Sequence, residues 1–161
     1  MKEFVPTALV PLVGSAQYLR RRLSGRANHL QTRVFALSLL WFGLTEIGRG
    51  VYRPFVYAHG LDDFGVADTL GNSFGTLTAI FSVLVLAGQG TRRDLALIPL
   101  ATLGLIVYEL IDTFSGAPVD AADLAATLCF GVLAAVAYLL LLRIHGPSIG
   151  AAERRDPTLP E

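Results

Sequence analysis

Long apolar runs alternate with short polar or glycine-rich breaks along this chain. Four runs stand out, at about residues 34–52, 66–87, 95–114 and 121–142. Each is close to the roughly 20 residues that a helix needs to cross a hydrocarbon layer about 30 Å thick. Arg53-Pro54 closes the first run, Gly88-Gln89-Gly90 separates the second from the third, and Gly116-Ala117-Pro118 separates the third from the fourth. Pro99 falls in the first turns of the third run, where a proline disturbs a helix least. The pattern predicts an all-α fold, a four-span transmembrane helical bundle.

The polar positions within these runs repeat. Glu46 lies near the end of the first run, and Asp68-x-x-x-Asn72-x-x-Gly75 opens the second. Glu109 lies near the end of the third, and Asp123-x-x-x-Thr127-x-x-x-Gly131 opens the fourth. The bundle therefore reads as two similar helical hairpins. A carboxylate inside an apolar span is costly, so it marks a functional site by default. At a rise of about 1.5 Å per residue, Glu46 stands roughly 20 Å above Arg33 and Glu109 roughly 24 Å above Arg93, in the outer third of the membrane.

Helical spacing groups these residues into stripes. Glu46, Arg49 and Arg53 fall at i, i+3 and i+7, and Tyr108, Glu109, Asp112 and Thr113 form a band on the third span. Asp68, Asn72, Gly75 and Ala79 share a face of the second span, as Asp120, Asp123, Thr127, Gly131 and Ala134 do on the fourth. Small residues let membrane helices approach, and polar ones then bond across the contact. The four stripes are expected to face each other around an outward cleft. Its candidate ligand-binding residues are Glu46, Arg49, Asp68, Asn72, Glu109, Asp112, Asp120, Asp123 and Thr127. Each has a plainer alternative. Asp68 and Asp123 lie near helix starts and suit capping, and Glu46 with Arg49 suits a structural ion pair. Asn72, Thr127 and the glycines suit packing. Tyr52, Phe55 and Tyr57 suit an interfacial belt, and Trp41 suits contact with lipid or core.

Composition and charge sharpen the membrane reading. The chain has 161 residues, 53% of them hydrophobic and 16% charged, against about 25% charged in soluble domains. Net charge is zero, which removes the electrostatic case for nucleic acid. Of the 13 Lys and Arg, all but Arg49 and Arg53 lie in the tails or beside the middle loop, at Arg92-Arg93. The positive-inside rule then predicts a multi-pass membrane protein with both termini cytoplasmic. The apolar stretch 4–19 carries Pro6 and Pro11 and runs into Arg20-Arg21-Arg22. It reads as an N-terminal interfacial helix on anionic lipid, with a flexible lead-in or a short extra span as alternatives. Lys2 with Glu3 argues against a cleaved signal peptide. The domain plan is thus a basic N-terminal segment 1–33, a transmembrane domain 34–143 and a disordered cytoplasmic tail 144–161.

Familiar catalytic and cofactor motifs are absent. The three histidines are widely separated, and there is no zinc spacing, phosphate-binding loop or nucleophile elbow, so no cofactor and no metal are assigned. His59, Asp62 and Asp63 have the chemistry for a divalent ion, but in a short glycine-flanked loop. Cys129, the single cysteine, sits in an apolar run and reads as a packed thiol.

In order, the polar motifs resemble the VanZ-like family of small bacterial membrane proteins. Asp68 matches the Asp that opens the family's second span, with Asn72 where a His is expected. Glu109 matches the Glu of its Glu-x-x-Gln, with Asp112 for Gln. Asp120 and Asp123 match two aspartates around the fourth span, with Thr127 for Asn, and the family's loop Arg has no counterpart between Phe114 and Val119. The resemblance covers about residues 34–143 and implies four spans and an envelope role linked to teicoplanin resistance. The leading expectation is an envelope protein whose outward acidic cleft binds a polar or amphiphilic ligand, such as a lipid-linked molecule. The alternatives are a metal-dependent membrane enzyme acting on lipid head groups, a non-catalytic subunit with a membrane-protein partner, and a proton or ion path.

Overall fold

The structure, a computed structural model, describes residues 9–25, 27–113 and 121–145, with side chains for 13–25, 27–111 and 121–144. Among these residues every regular element is helical and there is no strand. Its elements are α1 (Leu9–Leu23), α2 (His29–Ile47), a π-helical turn (Gly48–Tyr52), α3 (Arg53–His59), α4 (Val66–Ala87), a 3-10 turn (Arg92–Ala96), α5 (Leu97–Thr113) and α6 (Ala121–His145). Four stretches are long and apolar enough to cross a membrane: His29–His59, Val66–Ala87, Arg92–Ile111 and Ala121–Ile144. The expected tail lies outside the described residues from 146 onward, as do Asp120 and the break at 116–118.

The first span differs from expectation at both ends. It begins at His29 because Asn28 forms a capping box. Gln31 N donates to Asn28 Oδ1 at 2.7 Å, and Asn28 N donates to Gln31 Oε1 at 3.2 Å. It does not stop at Arg53-Pro54. A proline lacks an N–H and crowds the carbonyl four residues back. The π-helical turn widens the backbone just before Pro54, with the Arg53 N–H bonded to the Gly48 carbonyl five residues back. The helix therefore absorbs the proline and continues as α3 to His59.

α4 is the centre of the bundle. About 56% of its most apolar stretch is buried, against 17–22% for the other three spans. It packs against α1, α2, α5 and α6, whereas α2 and α5 have no comparable contact with each other. α2 and α5 thus flank the α4–α6 pair. Leu77, Ile80 and Phe81 of α4 meet Ala134 and Tyr138 of α6, all at most 1% exposed. Leu40, Val51, Leu100, Ile111, Val132 and Leu140 lie exposed on the outside. So broad an apolar girdle is out of place in water and in place against acyl chains.

Hydroxyls bond across the dry α2–α4 contact. Ser38 Oγ and Ser82 Oγ are 2.9 Å apart, and Thr45 Oγ1 and Thr78 Oγ1 are 3.2 Å apart. Thr102 instead donates to the Ile98 carbonyl at 2.9 Å. The deep hydroxyls that an ion path would use are engaged in packing.

One end of the bundle is tied by side chains from four elements. The buried Asp94 accepts the N–H groups of Gln89, Gly90 and Thr91 at 2.9, 2.6 and 3.0 Å and the Tyr138 hydroxyl at 2.9 Å. From α1, Arg21 donates to the Gly88 carbonyl at 2.7 Å and the Leu86 carbonyl at 3.0 Å, and Gln17 donates to Leu86 at 2.8 Å. These groups satisfy carbonyls that a helix C-terminus leaves open, and the guanidinium suits the dipole there. α1 is therefore docked on α4 and α2, not a flexible lead-in. Tyr18 stacks on Phe35 at 4.2 Å between ring centroids.

α5 and α6 approach through Gly131, where a Cβ would lie 2.7 Å from Thr102 Oγ1 and 2.8 Å from its Cγ2. Gly131→Ala is expected to destabilise the purified protein by about 1–3 kcal/mol through this overpacking. Adding Thr102→Ala, which removes both clashing atoms, should recover most of the loss. Thermal unfolding in detergent checks this, and equal midpoints for Gly131→Ala and wild type would refute the close contact.

Candidate functional site

Polar side chains concentrate where α3 turns into α4. Asp63 anchors that turn. Its Oδ1 accepts Gly65 N at 3.2 Å, and its Oδ2 accepts Ala67 N at 2.6 Å and the Tyr52 hydroxyl at 3.2 Å. Capping, one reading offered for Asp68, therefore falls to Asp63. Asp68 is left to bind side chains: it accepts Arg53 Nη2 at 3.1 Å and a short hydrogen bond from the Tyr57 hydroxyl. Arg53 Nε also donates to Tyr57 Oη at 3.2 Å, and its guanidinium carbon is 5.4 Å from the centroid of that ring. Arg53, Tyr57 and Asp68 form a closed cluster at the rim, with the two charged side chains about half exposed.

Arg49 lies one turn deeper. A Cβ on Gly71 would sit 3.1 Å from its Nε and 3.3 Å from its Cγ, and one on Gly75 would sit 3.8 Å from its Nη2. The Gly71-x-x-x-Gly75 strip of α4 thus makes room for an arginine rather than for a neighbouring backbone. Among the described residues Arg49 has neither a hydrogen bond nor an ion-pair partner. The structural pairing of Glu46 with Arg49 is not formed, and Glu46 is exposed. The i, i+3, i+7 stripe assumed 3.6 residues per turn, a period that does not carry through the π turn holding Arg49. Asn72 is half-buried near this strip, and its carbonyl accepts Thr76 Oγ1 at 2.8 Å.

The remaining candidates lie on the other flank. Glu109 of α5 and Asp123 in the first turn of α6 are half-buried, and Thr127 is buried at 3% exposure. Asp112 belongs to α5, with its side chain outside the described residues. α2 and α5 are not packed together, so Glu46 and Glu109 stand on helices without a direct packing contact. The structure groups Arg49, Asn72, Arg53 and Asp68 on α2–α4, and places Glu109 and Asp123 on α5–α6. Among the described residues no three His, Cys, Asp or Glu side chains stand close enough to hold a metal ion. His59 Nδ1 is bonded to the Phe55 carbonyl and Asp62 accepts the Phe64 N–H, so that loop is engaged in local bonds.

Sequence reasoning weighed Asp63 only as a metal ligand and passed over Asp94, Tyr138 and the bonding roles of Tyr52 and Tyr57. Thr91 and Asp94 have capping-box spacing, a signal that was present. The bond between Asp94 and Tyr138 joins residues 44 apart, and no local pattern announces it. No family model, curated protein or solved structure matches this chain. Fold and site together describe a helical bundle with four helices long and apolar enough to cross a membrane, on which the exposed Arg49 lies along the Gly71–Gly75 strip of α4.

The exposed Arg53–Asp68 pair should contribute little. A double-mutant cycle with Arg53→Gln and Asp68→Asn, read by unfolding in detergent, is expected to give a coupling of about 0.2–1 kcal/mol. A coupling of several kcal/mol would show a dry pair and contradict the exposed rim.

Proposed function

We propose that this chain is a multi-pass protein of a bacterial inner membrane whose outer polar end holds the anionic head of an amphiphilic, lipid-linked envelope molecule. The observation that carries this reading is the placement of Arg49. Its side chain lies along Gly71 and Gly75 of α4 with no carboxylate bound to it among the described residues. A cation within a membrane protein is stabilised by a partner, and a guanidinium matches phosphate or carboxylate in a two-pronged geometry. Asn72 supplies an amide near the strip. Arg53, Tyr57 and Asp68 form a polar rim, and Glu46 offers an acceptor for hydroxyl or amine groups.

The finer topology belongs to the same proposal. The distribution of Lys and Arg favours cytoplasmic termini, which directs the α3–α4 turn outward. α1 then lies at the cytoplasmic interface, and α2–α3 with α4 and α5 with α6 form the two hairpins. Asp68, Glu109 and Asp123 keep the order that resembles VanZ-like proteins, which supports an envelope role. Glu109 and Asp123 on the second hairpin form a separate acidic neighbourhood that tunes, rather than contacts, the bound head group.

Farnesyl diphosphate is a short-chain probe of this class. Calorimetric titration into the full-length protein in neutral detergent should show binding, and Arg49→Gln should weaken it at least about tenfold by removing a charged hydrogen-bond partner. Wild-type affinity in Arg49→Gln, or no binding by wild type, would overturn the reading. In a teicoplanin-sensitive bacterial host, expression of the wild-type chain should raise tolerance, and Glu109→Gln should abolish the gain at unchanged protein level. Full tolerance with Glu109→Gln would sever the link between the acidic neighbourhood and the phenotype.

A further inference from the structure

A pocket opens at the opposite end of the bundle from Arg49, between α1, the start of α2 and the loop after α4. It encloses about 960 Å³, and its walls include Val13, Ala16, Arg20, Arg21, Gln31 and Gln89. The α1 residues that line it recur every three or four positions from Val13 to Ser24, so one face of that helix forms a whole wall. That wall is graded. Val13 and Ala16 are apolar, and Arg20 and Arg21 follow one turn later, over a rise of roughly 10 Å. None of the lining residues is acidic.

The two arginines are not equivalent. Arg21 is committed to the carbonyls at the end of α4, at 2.7–3.2 Å. Arg20 is exposed, and its side chain makes no hydrogen bond or ion pair among the described residues. Gln31 Nε2 donates to the Gly88 carbonyl at 3.4 Å, and the second N–H of that NH2 group remains for a bound group. The same end of the bundle carries Arg92 and Arg93, both exposed.

We propose that this pocket binds the phosphate head group of an anionic phospholipid, with Arg20 as the charge contact, the side chains of Gln31 and Gln89 as neutral donors, and the first acyl carbons against Val13 and Ala16. The shared chemistry is a phosphate. The apolar wall at Val13 and Ala16 favours a lipid over a free anion, because a soluble phosphate would leave that wall unused. The site is independent of Arg49, which lies near the other end of α4.

The test uses the full-length protein in neutral detergent, titrated with palmitoyl-oleoyl phosphatidylglycerol, with the matching phosphatidylcholine, and with inorganic phosphate, and read by native mass spectrometry. Wild type should prefer the anionic lipid. Arg20→Gln should weaken its binding about fivefold, the effect of one basic residue near an anionic lipid surface, with an unchanged unfolding midpoint. Arg93→Gln removes an equal charge from the same end outside the pocket and should retain the preference. Equal losses in the two variants would reduce the effect to diffuse charge and overturn the site. No preference in wild type, or full displacement of the lipid by millimolar inorganic phosphate, would overturn the assignment to a lipid head group.

Discussion

Inside a hydrocarbon layer a polar atom has only protein to bond with, and the architecture follows from that constraint. α4 carries the heaviest burden. It is surrounded by other helices, and its Ser82 and Thr78 can be buried only because Ser38 and Thr45 of α2 stand opposite them. Its last carbonyls emerge where backbone bonding stops, and α1 and α2 supply Arg21, Gln17 and Gln31 to meet them. The loop that follows would expose three N–H groups, and the carboxylate of Asp94 gathers them beside the Tyr138 hydroxyl. The N-terminal helix is therefore part of the bundle's chemistry, not an appendage to it.

The two ends of α4 meet opposite demands. At the end bearing Gly88, cations and a buried carboxylate close off backbone groups. At the end bearing Asp68, polar side chains remain half exposed and bond each other. Arg49 lies along the glycine strip near that open end, with no carboxylate bound to its side chain among the described residues. The π turn is the device that places it. By widening the helix before Pro54 it lets one rod continue to His59, and Arg49 within it lies along Gly71.

Much of the fold was legible in the residue pattern. The second span matches its expected limits of Val66 and Ala87, and the other three are recovered near their predicted centres. Apolar run length dictates this directly, because a helix that must cross a fixed thickness shows it as an unbroken stretch of sequence. The proline was misread as a stop because a local rule cannot register a widened turn upstream of it. The site was only half legible. The sequence marks costly polar residues within apolar spans, and Arg49 lies along the Gly71–Gly75 strip of the helix that carries Asn72 and Asp68. It cannot say which helices become neighbours, and α4 rather than a seam between the two repeated halves is the element the others pack on.

The sequence by itself determined the number of span-length apolar helices, the sorting of basic residues between their ends and the identity of the polar residues that must be accommodated. All three depend on transfer between water and hydrocarbon, which acts residue by residue and needs no knowledge of packing. Only the tertiary structure decided that α4 is central, that α2 and α5 stand apart, and that Asp63 rather than Asp68 anchors the turn. Those outcomes rest on which side chains fit against which backbones. Contacts such as Tyr138 with Asp94, or Arg49 with Gly71, link residues far apart in the chain whose proximity no local period encodes.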